Sequence, residues 1–227
     1  MTSALIVAAG SGTRMGPGVD KLFLELGDRP VVAHTWARFD SAACVDEIIL
    51  VVRDGLQDAF HALAERHQFR KPFRLAAGGR ERQDSVWNGI EALDPAAEIV
   101  AIQDGARPCT NGPLIEATCA AARLSGAAVA AQAAVDTIKE SADGRWVDRT
   151  LDRSRLWAVQ TPQTFRVELI RRALREVRAR GLTVTDDTAA CELIGHRVAL
   201  VPSPLPNPKV TRPEDLPFIR FLLGTAA

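Results

Sequence analysis

The chain has 227 residues, 47% of them hydrophobic, and its 28 lysines and arginines are balanced by 28 aspartates and glutamates. That length can bury one full α/β core, and zero net charge excludes a global field drawing the protein to nucleic acid or an anionic membrane. The cysteines Cys44, Cys109, Cys119 and Cys191 contain no C-x-x-C pair and read as reduced thiols rather than a zinc site or disulfide framework, while no apolar run approaches a membrane span or a secretion signal, so a cytoplasmic protein is expected.

In chain order, short β-branched runs at 4–8, 47–53, 73–77, 99–103 and 127–134 alternate with helical periods at 31–39, 56–67, 84–93 and 113–124. This is the rhythm of βα units on a parallel sheet. The strands are apolar almost throughout, so both sheet faces are covered and ligands should sit beyond the strands' carboxyl ends. After residue 134 the pattern changes. The stretch "VDTIKESADGRWVDRTLDRSRLW" alternates around Asp143-Gly144, a hairpin signal, and is too polar for a central strand pair. An arm at about 135–152 is expected, followed by helices at 167–180 and near 186–194, a strand at 197–201 and a closing helix from Pro213. The expected architecture is one domain, residues 1–227, built as a Rossmann-like, mostly parallel sheet with helices on both faces and a projecting β-hairpin arm.

Three stretches fall at the carboxyl rim. The first, "AAGSGTRMGPGVDKL", follows the opening strand. Its glycines at 10, 12 and 16 miss the G-x-G-x-x-G spacing by one residue, and no Gly-Lys-Ser/Thr follows, so neither the dinucleotide fingerprint nor the P-loop fits. What remains is a glycine turn carrying Arg14 and Lys21. It suits a triphosphate, or it is a solvated turn with two surface cations. The second, "AAGGRERQDSVWNGI", places Gly78-Gly79 after a strand and Ser85 near a helix start, where serine serves as a ligand contact or an N-cap. The third ends "EIVAIQD" on Asp104, a lone carboxylate suited to Mg²⁺ shared with phosphates or to capping the next turn. The histidines form no metal or general-base pattern.

Four ordered segments, "AAGSGTRMG…DK", "GGRERQDSV", "DGARP" and "NPKVTRPEDL", resemble the motifs of the 2-C-methyl-D-erythritol 4-phosphate cytidylyltransferases, in register from about residue 4 to 222. The resemblance implies CTP and 2-C-methyl-D-erythritol 4-phosphate as substrates, Mg²⁺ as cofactor and a homodimer through the arm. It implies that Arg14 and Lys21 stabilise the transition state, and that Ala8, Ala9, Gly10, Gly12, Gly79, Arg80, Ser85 and Asp104 hold the nucleotide, with Asp104 also on the metal. Arg153 and Lys209 would clamp the acceptor phosphate, with Arg107, Thr137, Thr161 and Thr185 as further acceptor contacts. Arg80 departs from the acidic residue of some relatives, which is harmless if only its main chain is used. A cytidylyltransferase for another polyol phosphate, such as ribitol 5-phosphate, shares most of these motifs. A nucleotide-sensing domain without catalysis is a rival of another class, opposed by the presence of Arg14, Lys21, Asp104 and Lys209 together.

Overall fold

The computed structural model describes residues 1–10, 15 and 20–225; the expectations for Gly12 and Arg14 therefore lie outside the described residues. The chain begins with β1 (Thr2–Ala8), a 3₁₀ turn at Lys21–Phe23 and a small hairpin, β2 (Glu25–Leu26) and β3 (Arg29–Pro30). Alternating elements follow: α1 (Val31–Ser41), β4 (Glu47–Val52), α2 (Gln57–His67), β5 (Phe73–Ala77), α3 (Arg82–Glu91), β6 (Ile99–Asp104), α4 (Gly112–Ser125) and β7 (Ala127–Ala133). Then come β8 (Lys139–Glu140), β9 (Arg149–Thr150), β10 (Trp157–Arg166), α5 (Val167–Ala179), α6 (Asp187–Leu193), β11 (Ala199–Pro202) and α7 (Leu216–Thr225). No described helix is long and apolar enough to cross a membrane.

Seven strands form one sheet in the order β11-β7-β10-β6-β1-β4-β5. Only β10 runs against its neighbours. Successive strand residues point to opposite faces, and the core divides accordingly. Ala4, Ile6 and Ala8 join Ile48, Leu50 and Val52 under α1 and α2, whereas Leu5 joins Ile49, Val51 and Ile102 under α3 and α5. On the first face Trp36 is fully buried and stacks on Phe69 at 4.4 Å between ring centroids. Continuous apolar strands thus follow from burial on both sides.

The strand β10 has no counterpart in the sequence expectations, which place nothing between the arm and the helix at 167. Its reason is composition. Gln160, Thr161, Gln163 and Thr164 are all buried in mid-sheet, where a parallel-sheet strand is normally apolar. Pro162 interrupts them, and the register against β7 shifts between Val159 and Gln163, as expected where a residue lacks a ladder donor. A polar, proline-containing strand between two apolar ones is thus hidden from any pattern search.

The arm is present as a short antiparallel ladder pairing Lys139 with Thr150 and Glu140 with Arg149, separate from the main sheet. Val135, Trp146 and Val147 are exposed along it at 78%, 77% and 61%.

Candidate active site

The carboxyl ends of β1, β5 and β6 border a cavity of about 450 Å³. Its walls include Ala9 and Gly10 after β1, Lys21, the loop of Gly79, Arg80, Glu81, Arg82 and Ser85, then Asp104, and finally Lys209 and Thr211. Ala8 is buried beneath it as the last residue of β1.

The loop after β5 is built by close backbone approach. A Cβ on Gly79 would lie 2.3 Å from the Asp84 Cβ and 2.9 Å from the Ser85 nitrogen, so only glycine fits. The Gly79 N–H donates to Ser85 Oγ at 3.0 Å, and that hydroxyl donates to the Glu81 carbonyl at 3.2 Å. Ser85 is therefore not the N-cap of α3. Glu81 takes that position, its N–H donating to the Asp84 carboxylate at 3.2 Å. The serine lies one turn inside and fixes the glycine loop.

Asp104 ends β6 with its side chain only 11% exposed. Lys209 Nζ lies 2.8 Å from Oδ2, Arg82 Nε 3.4 Å from Oδ1 and Arg107 Nε 3.6 Å from Oδ2. Burial raises the carboxyl's pKa, but Arg82, Lys209 and Arg107 together outweigh it and bring the value down to about 2. The main-chain N–H of Asp104 donates to Thr161 Oγ1 at 3.2 Å. Thr161 thus meets the site through Asp104 rather than as a cavity wall.

Lys21 is buried, and its Nζ donates to the Val210 carbonyl at 2.9 Å. The Val210 N–H in turn donates to the Ala106 carbonyl at 2.8 Å. A cation from the first turn and the 207–210 segment are thereby tied to the β6 rim.

Two groups that organise this site lie inside the segments quoted above but were given no role there. Buried Asn207 accepts from Thr110 Oγ1 at 3.0 Å, donates to the Thr161 carbonyl at 2.8 Å, and its own carbonyl accepts from Arg107 Nη1 at 2.6 Å. It opens the "NPKVTRPEDL" segment between Pro206 and Pro208, which restrict the backbone leading to Lys209. Arg82 is the second. Beyond Asp104 it donates from Nη1 to Asp187 Oδ2 at 2.8 Å, across 105 residues. Asp187 is fully buried, and that burial raises its pKa despite Arg82.

Of the residues expected from the sequence, the structure thus gathers Ala9, Gly10, Lys21, Gly79, Arg80, Ser85, Asp104 and Lys209 around one cavity. Arg107 packs behind Asp104, its side chain 14% exposed. Thr137 and Arg153 are exposed on the arm or at its base, where Arg153 Nη1 donates to the Val135 carbonyl. Thr185 is exposed just before α6.

The fold and cavity define a Rossmann-like α/β protein whose carboxyl-edge site, with two lysines, two arginines and a glycine-shaped loop, suits a polyanionic ligand. Comparison with known proteins narrows the class. The family model described as IspD, 2-C-methyl-D-erythritol 4-phosphate cytidylyltransferase, matches residues 2–225. The chain is 42% identical to the 2-C-methyl-D-erythritol 4-phosphate cytidylyltransferase of Alkaliphilus oremlandii, over 99% of this chain and 95% of that protein. It is 43% identical to the enzyme of that name from Geobacillus thermodenitrificans, over 98% and 96%. The crystal structure of 4-diphosphocytidyl-2C-methyl-D-erythritol synthase from Anaerococcus prevotii superposes with a TM-score of 0.87 at 33% identity, covering 98% of both chains. The chain belongs to the IspD family.

Asp104 also sets a pH dependence of folding. Its pKa falls from an ordinary 3.8 to about 2 in the folded protein, so its contribution to stability is fully present above the ordinary value and is lost as the pH falls through the folded one. The difference corresponds to roughly 2 kcal/mol. In urea unfolding of wild type and Asp104→Asn, the stability gap should narrow by about that amount between roughly pH 5 and pH 2. A gap independent of pH would contradict the ion cluster.

Proposed function

We propose that the protein joins CTP and 2-C-methyl-D-erythritol 4-phosphate, giving 4-diphosphocytidyl-2-C-methyl-D-erythritol and pyrophosphate in the non-mevalonate route to isoprenoid precursors. The family match spanning residues 2–225 carries this reading. An oxygen of the acceptor phosphate forms a bond to the α-phosphorus of CTP, and the bond from that phosphorus to the β-phosphate oxygen breaks, its electron pair leaving with pyrophosphate. A phosphate monoester, with a second pKa near 6, is already largely dianionic at neutral pH. No general base is required, and no histidine lines the described cavity.

The work left to the protein is to bring two polyanions together and to stabilise charge developing at the α-phosphate. In this reading Arg14 and Lys21 do the latter. The main chain at Ala8, Ala9, Gly10 and Gly12 holds the triphosphate, while Gly79, Arg80 and Ser85 hold the cytosine. Lys209 and Arg153 clamp the acceptor phosphate, and Arg107, Thr137, Thr161 and Thr185 complete its surroundings.

The donor set at Asp104 fits Mg²⁺. Among the described residues no three histidine, cysteine or carboxylate side chains converge, and one ionised carboxylate beside incoming phosphates matches an ion that takes most of its ligands from phosphate and water. Asp104 would hold the ion, which when bound supplies positive charge to the triphosphate. We place the reaction in the cytoplasm, in keeping with four free cysteines.

The arm supports a homodimer. Thr137 lies on it, Arg153 follows it, and its exposed Trp146 and Val147 have little cover within one chain. We read it as reaching over a second copy's site.

Two outcomes test this function. Purified protein with Mg²⁺ should release pyrophosphate from CTP when given 2-C-methyl-D-erythritol 4-phosphate, and EDTA should abolish the release. Asp104→Asn should lower kcat by at least about 10²-fold, the scale of one preorganised electrostatic group. Turnover only with ribitol 5-phosphate, or activity surviving EDTA, would overturn the acceptor or the metal assignment respectively. Mixing Arg107→Ala with Arg153→Ala protein under subunit exchange should restore part of the activity lost in each. A fully active monomer by light scattering would rule out the shared site.

A further inference from the structure

The loop assigned to the nucleotide also holds the segment assigned to the acceptor. Arg82 and Gln83 are the first two residues of α3 and follow directly on Gly79–Glu81. Gln83 spans the segment before α6 with both ends of its amide. Its Nε2 donates to the Leu182 carbonyl at 2.9 Å, and its Oε1 accepts from the Val184 N–H at 2.9 Å. Arg82 grips the same segment on the far side of Thr185, through Asp187 Oδ2. A third tie comes from β10. Gln163 Nε2 donates to Asp186 at 2.9 Å, and its Oε1 accepts from the Asp187 N–H at 3.0 Å. Thr185 is thus suspended between Val184, fixed by Gln83, and Asp186-Asp187, fixed by Gln163 and Arg82.

We infer that Arg82, Gln83 and Asp187 are positioning residues for the acceptor: they bracket Thr185 and lock the acceptor side of the site to the nucleotide loop. This rests on the reading above in which Thr185 contacts the acceptor phosphate. Two features set the bracket apart from ordinary packing. Gln83 uses a side-chain amide to satisfy main-chain groups on both sides of one residue, Thr183, which holds the register leading into Thr185. Arg82 uses one guanidinium for two carboxylates, Asp104 at 3.4 Å and Asp187 at 2.8 Å. The carboxylate at the cavity and the segment carrying Thr185 are therefore aimed by the same side chain. Displacing a substrate contact by about 1 Å costs on the order of 10²-fold in rate, so a bracket that fixes this segment has catalytic weight without touching substrate.

The test uses full-length protein with the variants Gln83→Ala, Asp187→Asn, Thr185→Ala and the double variant Gln83→Ala/Thr185→Ala. Gln83 is partly exposed, so its removal should leave the fold intact, checked by thermal melting. Gln83→Ala and Asp187→Asn should each raise KM for 2-C-methyl-D-erythritol 4-phosphate at least about fivefold, while the Kd for CTP by calorimetry stays within about twofold of wild type. The double variant should be no worse than Thr185→Ala alone, because a residue acting through Thr185 has nothing left to position. If Thr185→Ala raises the acceptor KM but Gln83→Ala does not, or if their effects multiply, the bracket is wrong while the acceptor site stands. If Thr185→Ala leaves the acceptor KM unchanged, the acceptor assignment fails and the bracket with it.

Discussion

The structure depends on one buried carboxylate meeting more positive charge than it can neutralise. Asp104 ends the central strand β6 and faces Arg82, Arg107 and Lys209; Asp187 is the second carboxylate in contact with Arg82. Three cations against two carboxylates leave the cluster net positive, with Lys21 on the same cavity. Removing one partner from a buried charge pair costs on the order of 3–5 kcal/mol, because the charge left behind is uncompensated. The carboxylate therefore allows the cations to be held close together before any ligand arrives, and their excess charge makes the cavity suited to a polyanion.

The fold is arranged to place that cluster. Parallel strands bring β1, β5 and β6 to one rim, and apolar side chains on both faces hold them there. The exception, β10, serves the site with its polarity. Thr161 accepts from the Asp104 main chain and has its own carbonyl bound by Asn207, while Gln163 secures the start of α6. A buried polar strand is tolerated when its groups find partners, and Thr161 and Gln163 find theirs on the segments that carry Asp104, Lys209 and Thr185.

Much of this was legible in the sequence, and what was not has a physical cause. Apolar strands such as Ile99–Asp104 and amphipathic helices such as Val167–Ala179 announce themselves by period, and observed ends differ from expectation by only one or two residues. Gly79, Ser85 and Asp104 were recognisable because they sit in local motifs at strand ends. Strand β10 was not, since Pro162 and four buried polar residues erase its period. Nor could the Arg82–Asp187 pair be read, joined as it is across 105 residues with only three-dimensional proximity to report it. For Ser85 the sequence left a ligand contact and an N-cap both open, because serine favours the cap position; Glu81 holds that position.

The chemistry that follows is electrostatic. Lys21 and Lys209 approach the cavity from the two ends of the chain, one fixed on the Val210 carbonyl and the other on Asp104, and the acceptor's own phosphate is the nucleophile. Nothing in this arrangement is asked to remove a proton. The dependence of kcat/KM for 2-C-methyl-D-erythritol 4-phosphate on pH, measured in ordinary and heavy water, tests that claim most directly. A rise governed by the substrate's own ionisation near pH 6 is expected, with a solvent isotope effect near unity at the plateau. A profile governed by an enzyme group titrating well above that value, with a large isotope effect, would show instead that a general base takes part.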